Sequence, residues 1–304
     1  MFPVLLTIGN IPISSFGIFL AGGFLVGVFL IWRLARAWDL NEEKILDLTL
    51  LTFLGGLLGA RTYFVLEHLS YFWQNPLTIV LFNKVPGFSF WGAFLGGWLT
   101  LFYLARRGKL DFWQLGDIAA IGLLGGLILS DLGCFLGGCN VGIANNSFLA
   151  VNMLGSLGKR FPVQALESVL FLIILLSLWS KATHFHQNGK ILSLSLIYIG
   201  VIKFLTENLK EVKNEGIFLS LILIILGISI FYKVTARNFI SDCKEFVNST
   251  FRFFTDSIVR KKYLESWWKY WYNNKTAFWW NVRNLKKSLQ KINVRFSYKN
   301  NKLH

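Results

Sequence analysis

Apolar runs such as LLTFLGGLLGA, VLFLIILLSLW and IFLSLILIILGISIFY recur along this sequence. They approach or reach the roughly 18 apolar residues that carry a helix across a ~30 Å hydrocarbon layer. A chain of 304 residues cannot bury all of them in one water-facing core. A hydrophobic share of 54%, a charged share of 15% and a mean hydropathy of +0.51 agree. The fold class read from these runs is all-α, a polytopic integral membrane helix bundle.

Bounding the runs by charge or proline predicts seven transmembrane helices: Phe16 to Leu34, Ile45 to Leu66, Phe88 to Ala105, Phe112 to Phe135, Val163 to Trp179, Ile191 to Leu209 and Gly216 to Phe231. Pro3, Pro12, Pro76, Pro86 and Pro162 all fall outside them, as unbroken helices require. The segment MFPVLLTIGNIPISS has no Lys or Arg, so the charged start of a cleaved signal peptide is missing and the first span is expected to be retained. Cys134, Cys139 and Cys243 are too few for a disulfide framework, and without histidine neighbours they make a poor metal set. Neither a metal nor a cofactor is expected.

Small residues four apart recur inside the spans: Gly23 and Gly27, Gly55 and Gly59, Gly92 and Gly96, Gly122 and Gly126. Such pairs let helix backbones approach closely in lipid, and the whole set favours a compact bundle. Arg33, Arg36 and Lys44 lie at or just past the end of the first span, and Arg106, Arg107 and Lys109 follow the third, whereas only Lys84 follows the second. Positive charge marks the cytoplasmic side, so the N-terminus is expected outside and the C-terminus in the cytoplasm.

Residues 1–236 are read as the transmembrane domain and 237–304 as a basic, aromatic-rich cytoplasmic tail. From Lys233 onward there are 16 Lys or Arg against 4 Asp or Glu, so the tail carries +12 of the net +15. The stretch SWWKYWYNNKTAFWWNVRNLKK interleaves aromatics with cations. Trp and Tyr suit the membrane interface and Lys or Arg meet phosphate, so anionic inner-leaflet lipids are the expected partner. Nucleic acid would accept a similar stretch but is the less favoured partner for a tail tethered to a bundle.

Charges inside a span cost roughly 2.5 kcal/mol or more each, so they face the bundle interior or a polar cavity. With the topology above, Arg61, Asp131, Gln164, Glu167, Lys203 and Glu207 all fall in the outer leaflet half. Lys203 and Glu207, four apart, can pair on one helix face. Such a network can simply glue helices, but Ser, Thr or Asn would do that at smaller cost. Two cations at headgroup depth suit a phosphodiester, with Arg offering a fork and Lys a point charge. An anionic phospholipid is the substrate suggested.

The segments IGNIPISSFGIFLAGGFLVG, LLGARTYFVLEH, NPLTIVLFNKVPGFSFWGAFLGG, DLGCFLGGCNVG, RFPVQALES and GKILSLSLIYIGVIKFLTENLK resemble, in order, the bacterial prolipoprotein diacylglyceryl transferases. The resemblance covers about Ile8 to Lys210 and stops before the tail. It implies an enzyme of the bacterial plasma (inner) membrane, multi-pass. Such an enzyme moves the diacylglyceryl group of phosphatidylglycerol onto the lipobox cysteine of a prolipoprotein signal peptide, releasing glycerol phosphate. It implies no cofactor.

Arg61, Gly87, Ser89, Phe90, Gly92, Gly133, Gly138, Pro162, Gln164, Glu167 and Glu207 keep the family's pattern. On this resemblance Arg61, Lys203, Ser89, Gln164 and Glu167 bind phosphatidylglycerol, with Lys203 or Arg61 serving its phosphate. Glu207 or Asp131 takes the thiol proton. Phe16 stands where the family usually has tyrosine, Trp91 where many members have histidine, and Asp131 and Lys203 where it has arginines. These departures admit a second expectation, a catalytically impaired relative that binds anionic phospholipid or a membrane partner through the same cavity.

Overall fold

The structure, a computed structural model, describes residues 4–8, 11–74, 76–79, 87–139, 141–153, 156–211, 216–258, 260–269, 271–273, 275–276 and 283. It divides into two compact units, residues 1–236 and 237–304.

The first unit begins with a hairpin, β1 (Val4–Ile8) and β2 (Ile11–Ser14), paired antiparallel. Ser14 then caps α1 (Ser15–Ala37), its hydroxyl accepting from Gly17 N at 3.1 Å. Asn41 caps α2 (Glu42–Glu67) through Lys44 N, with Glu42 and Glu43 in the first turn where the helix dipole favours negative charge. A short α3 (Leu69–Gln74) and a 3₁₀ turn (Pro76–Ile79) follow, neither of them expected from the apolar pattern. Then come α4 (Phe90–Arg107), α5 (Phe112–Gly137), α6 (Val163–Ala182), α7 (Lys190–Glu207) and α8 (Gly216–Thr235). Two-residue strands β3 (Val151–Asn152) and β4 (Lys159–Arg160) lie between α5 and α6.

Each of the seven apolar runs is thus helical. Five of these helices, α1, α2, α5, α6 and α8, are long and apolar enough to cross a membrane. The chain is a helical membrane protein. Of the five prolines, Pro12 lies in β2, Pro76 opens the 3₁₀ turn and Pro162 is the N-cap of α6, while Pro3 and Pro86 lie outside the described residues.

The paired glycines explain which helices cross. A Cβ built on Gly23 would stand 2.8 Å from Gly126 O, and one on Gly27 would stand 2.9 Å from Gly122 O, so α1 and α5 touch backbone to backbone. Likewise a Cβ on Gly92 would meet Gly59 O at 2.4 Å and one on Gly96 would meet Gly55 O at 2.5 Å, locking α2 to α4. A third crossing, α7 on α8, uses Gly200 and Gly227 against Ser220 O and Ser193 O. With α5 at the centre, Ile121, Leu124, Phe171, Leu178 and Ile199 are fully buried.

In the second unit, α9 (Phe239–Thr255) ends at Asp256, and residues 260–269 and 271–273 are again helical. Phe253 and Tyr263 bring their rings to 6.1 Å within this unit. Much of the run SWWKYWYNNKTAFWWNVRNLKK lies outside the described residues.

Candidate functional site

Helix α5 stops at Gly138, whose φ of 75° is open to glycine at little cost and lets Cys134 O accept from both Gly138 N and Cys139 N. The chain then runs as a short ribbon bonded on both edges. Ile143 N donates to Leu209 O (2.9 Å) and Glu211 N to Val141 O (3.0 Å) on one edge. On the other, Phe161 N donates to Ile143 O and Asn145 N to Lys159 O, both at 3.1 Å. Gly142 is needed here, since a Cβ would stand 2.1 Å from Phe161 O. The ribbon therefore ties the end of α7 to the start of α6, next to the end of α5.

Three helix ends so joined carry the buried charges. Lys203 on α7 donates to Glu167 Oε2 on α6 at 2.7 Å, and the Thr206 hydroxyl meets Glu167 Oε1. The Lys203 ammonium also lies 4.9 Å from the Phe90 ring centre and 5.5 Å from that of Phe171. Asp131 on α5 is buried within electrostatic reach of both Lys203 and Glu167. Among the described residues its Oδ2 has no hydrogen-bond partner. Ser168 fixes α6 against α5 by donating to Ile128 O at 2.9 Å. Burying a lysine and two carboxylates costs several kcal/mol per ion before any pairing, so stability alone is a poor reason to keep them.

Glu207 does not pair with Lys203, as their spacing suggested. Its carboxylate takes Lys210 Nζ at 2.5 Å and packs so close to Gly216 that a Cβ there would meet its Cδ at 2.7 Å. Beside it Arg160 Nη1 holds Glu211 Oε1 at 2.9 Å. Gln164, one turn before Glu167, is also buried.

Arg61 lies on α2, buried, and uses its fork on the backbone. Nε donates to Ile79 O (3.0 Å), Nη1 to Gly87 O (3.1 Å) and Nη2 to Thr78 O (2.8 Å). Phe64 and Phe72 sandwich the guanidinium at 5.6 and 5.3 Å. Ser89 is the N-cap of α4, with its N–H on Ala60 O and no hydroxyl bond to the first turn. The start of α4 thus lies between the two cations, Arg61 holding Gly87 and Lys203 facing Phe90. Trp91 packs edge-on against Phe90. Phe16 backs onto Gly133 and Gly137 at the end of α5.

A family model described as prolipoprotein diacylglyceryl transferase matches residues 3–233. The chain belongs to the prolipoprotein diacylglyceryl transferase family. By family it is a transferase. A phosphatidylglycerol–prolipoprotein diacylglyceryl transferase of Clostridium tetani is 25% identical over 249 residues, covering 76% of this chain and 97% of the relative. One of Deinococcus radiodurans is 37% identical over 142 residues, 45% of this chain and 42% of the relative. A second enzyme of that name from Clostridium perfringens is 24% identical over 241 residues, 75% of this chain and 93% of the relative.

Of the six residues that the sequence puts at one depth, the structure brings Asp131, Glu167 and Lys203 together, whereas Glu207 turns to Lys210 and Arg61 to backbone carbonyls; Thr206, Lys210 and Arg160 were not among the six. Lys210, three residues after Glu207, was a findable signal, since that spacing puts both on one helix face. The sequence reading also passed over Asp117, fully buried on α5, which accepts from Gly189 N (2.7 Å) and Leu192 N (2.6 Å) and so caps α7 from another helix. Gly189, at φ 91°, offers no side chain for that task. A cavity of 290 Å³ lined by Lys181, His184, His186 and Lys190 lies at this opposite end of α6 and α7 from Lys203.

Proposed function

We propose that this chain transfers the diacylglyceryl group of phosphatidylglycerol to the lipobox cysteine of prolipoproteins, in the bacterial plasma membrane. The cysteine sulfur forms a bond to the glycerol carbon, and the bond from that carbon to the phosphate oxygen breaks. The leaving glycerol phosphate keeps the electron pair, and the thiol proton goes to a carboxylate. We assign that carboxylate to Asp131 ahead of Glu207, because Lys210 already neutralises Glu207. Lys203 takes the phosphate charge, exchanging Glu167 for substrate, and the N-terminal turn of α4 adds its positive dipole end beside it. Arg61 shapes the site by holding the carbonyls of Thr78, Ile79 and Gly87; Ser89 and Gln164 flank the headgroup.

The observation that carries this reading is the buried Lys203–Glu167 pair beside Asp131, whose Oδ2 lacks a hydrogen-bond partner among the described residues, in a chain of this family. Basic last turns on α1, α4, α6 and α8 support seven spans with the N-terminus outside and the charge cluster at the outer face. Purified protein in phosphatidylglycerol micelles should add a diacylglyceryl mass to a lipobox peptide. Lys203→Ala should slow that transfer at least about a hundredfold, the size expected for losing a cation on a developing anion. Arg61→Ala belongs alongside it.

A second reading is favoured by the occupied donors of Arg61 and by an aspartate where the family carries arginine. It is a relative that binds phosphatidylglycerol without turnover. Binding without any mass shift, unchanged in Glu207→Gln, would select it.

A further inference from the structure

The family match ends at residue 233, before the second unit begins. We propose that residues 260–276 form an interfacial module that binds the anionic phospholipid surface of a bilayer. Helical residues 260–269 and 271–273 place Tyr263, Trp267 and Trp271 at i, i+4 and i+8, a spacing that sets them on one stripe. Leu264, Trp268 and Tyr272 make the adjoining stripe. None of the six is covered: their exposures run from 44% for Trp271 to 61% for Tyr272. Arg260, Lys261, Lys262, Lys269 and Lys275 accompany them against Glu265, and Lys275 Nζ lies 5.0 Å from the Trp271 ring centre.

A helix that leaves five large rings and a leucine in water is incomplete as it stands. Amphipathic indole and phenol rings match the headgroup layer, where the ring body is dry and the polar edge wet. The cations meet lipid phosphate, and each adds to the attraction toward an anionic surface. The tether supplies the occupant, because α8 is one of the membrane-length helices and ends at Thr235, two dozen residues upstream on the same chain. Preceding it, α9 leaves Phe239, Ile240, Phe251 and Phe254 exposed as well. A single-stranded nucleic acid would use the same rings and charges, and is the competing occupant to be tested.

Hydrogen–deuterium exchange on the full chain in nanodiscs tests this. Phosphatidylserine supplies an anionic surface and phosphatidylcholine a neutral one, so the transfer substrate is absent from both. Amides of residues 260–276 are expected to exchange about tenfold more slowly in the anionic discs, and 0.5 M salt should remove that difference, as surface charges are screened within ~4 Å there. Neutralising Arg260, Lys261, Lys262, Lys269 and Lys275 to Gln should remove it too, and Trp267→Ala with Trp268→Ala and Trp271→Ala should weaken it. Exchange in α5 and α6 reports that the bundle is unaltered. Equal exchange in both lipids overturns the proposal, as does slowing retained by the five-Gln variant. Slowing produced by an added single-stranded RNA and not by phosphatidylserine also overturns it.

Discussion

Lys203 and Glu167 stand 36 residues apart in sequence and 2.7 Å apart in space, both buried. Removing one partner of such a pair leaves the other as an uncompensated charge, at about 3–5 kcal/mol, whereas removing both at once is much cheaper. Glu167→Gln and Lys203→Met should therefore each lower the thermal midpoint sharply, and the double variant should recover much of the loss. Strict additivity in that cycle would mean that the two do not interact. Catalysis separates differently. Asp131→Asn should reduce diacylglyceryl transfer at least about a hundredfold, as expected for a proton acceptor, with little loss of fold. Glu207→Gln should chiefly unsettle the end of α7, since its carboxylate is committed to Lys210 and to the tight contact with Gly216. A larger transfer defect in Glu207→Gln than in Asp131→Asn would reverse the assignment of the base.

Helices in this chain cross where side chains are missing. Gly92→Ala would set a methyl 2.4 Å from Gly59 O and from Tyr63 Cβ, and neither can move without shifting α2. It should destabilise the bundle by about 1–3 kcal/mol, read as a lower thermal midpoint in detergent. Gly22→Ala, with its nearest neighbour at 3.8 Å, should change little. At the other end, α7 is capped from α5 by Asp117, and His186 Nε2 stands 3.4 Å from Asp117 Oδ2 with its ring against Trp38. The Asp117 carboxylate raises the His186 pKa above the ordinary histidine value of about 6.5 despite partial burial and nearby Lys190. A raised histidine pKa means that the stabilisation is complete below that ordinary value and is lost as pH rises through the raised one. Melting curves of the protein and of His186→Gln should accordingly differ most at acid pH and converge on going basic. A gap that widens with pH would sink this account. The helices themselves were legible, because runs of span length bounded by charge or proline have no competing structure. The capping of α7 was not, since Asp117 bonds to amides 72 and 75 residues further on and no local pattern encodes that.

Across the whole molecule, charge is divided as unevenly as hydropathy: +12 of the net +15 lies from Lys233 onward. Span boundaries give each charged group a position along its helix, but its partners depend on how that helix is rotated about its axis. The i, i+4 spacing offered Lys203 to Glu207, and rotation gave it to Glu167 instead. Arg61 is the sharper example, for its fork serves carbonyls of the 3₁₀ turn and Gly87, which no charge pattern foretells. Division of the chain at residue 236 has a consequence for folding. Among the described residues the buried side chains, such as Leu34, Ile121, Leu178 and Ile199, belong to residues 1–236, as do the glycine crossings and the ribbon that joins α5, α6 and α7. A chain ending at Ala236 should therefore insert and melt within a few degrees of the full protein, since it keeps those crossings and that ribbon. It should also keep its transfer activity on lipobox peptide in phosphatidylglycerol micelles, where a bilayer surface is absent for the tail to grip. A truncated chain that fails to insert would make the tail part of the bundle's folding. One that inserts but loses transfer in micelles would place the tail in the reaction itself.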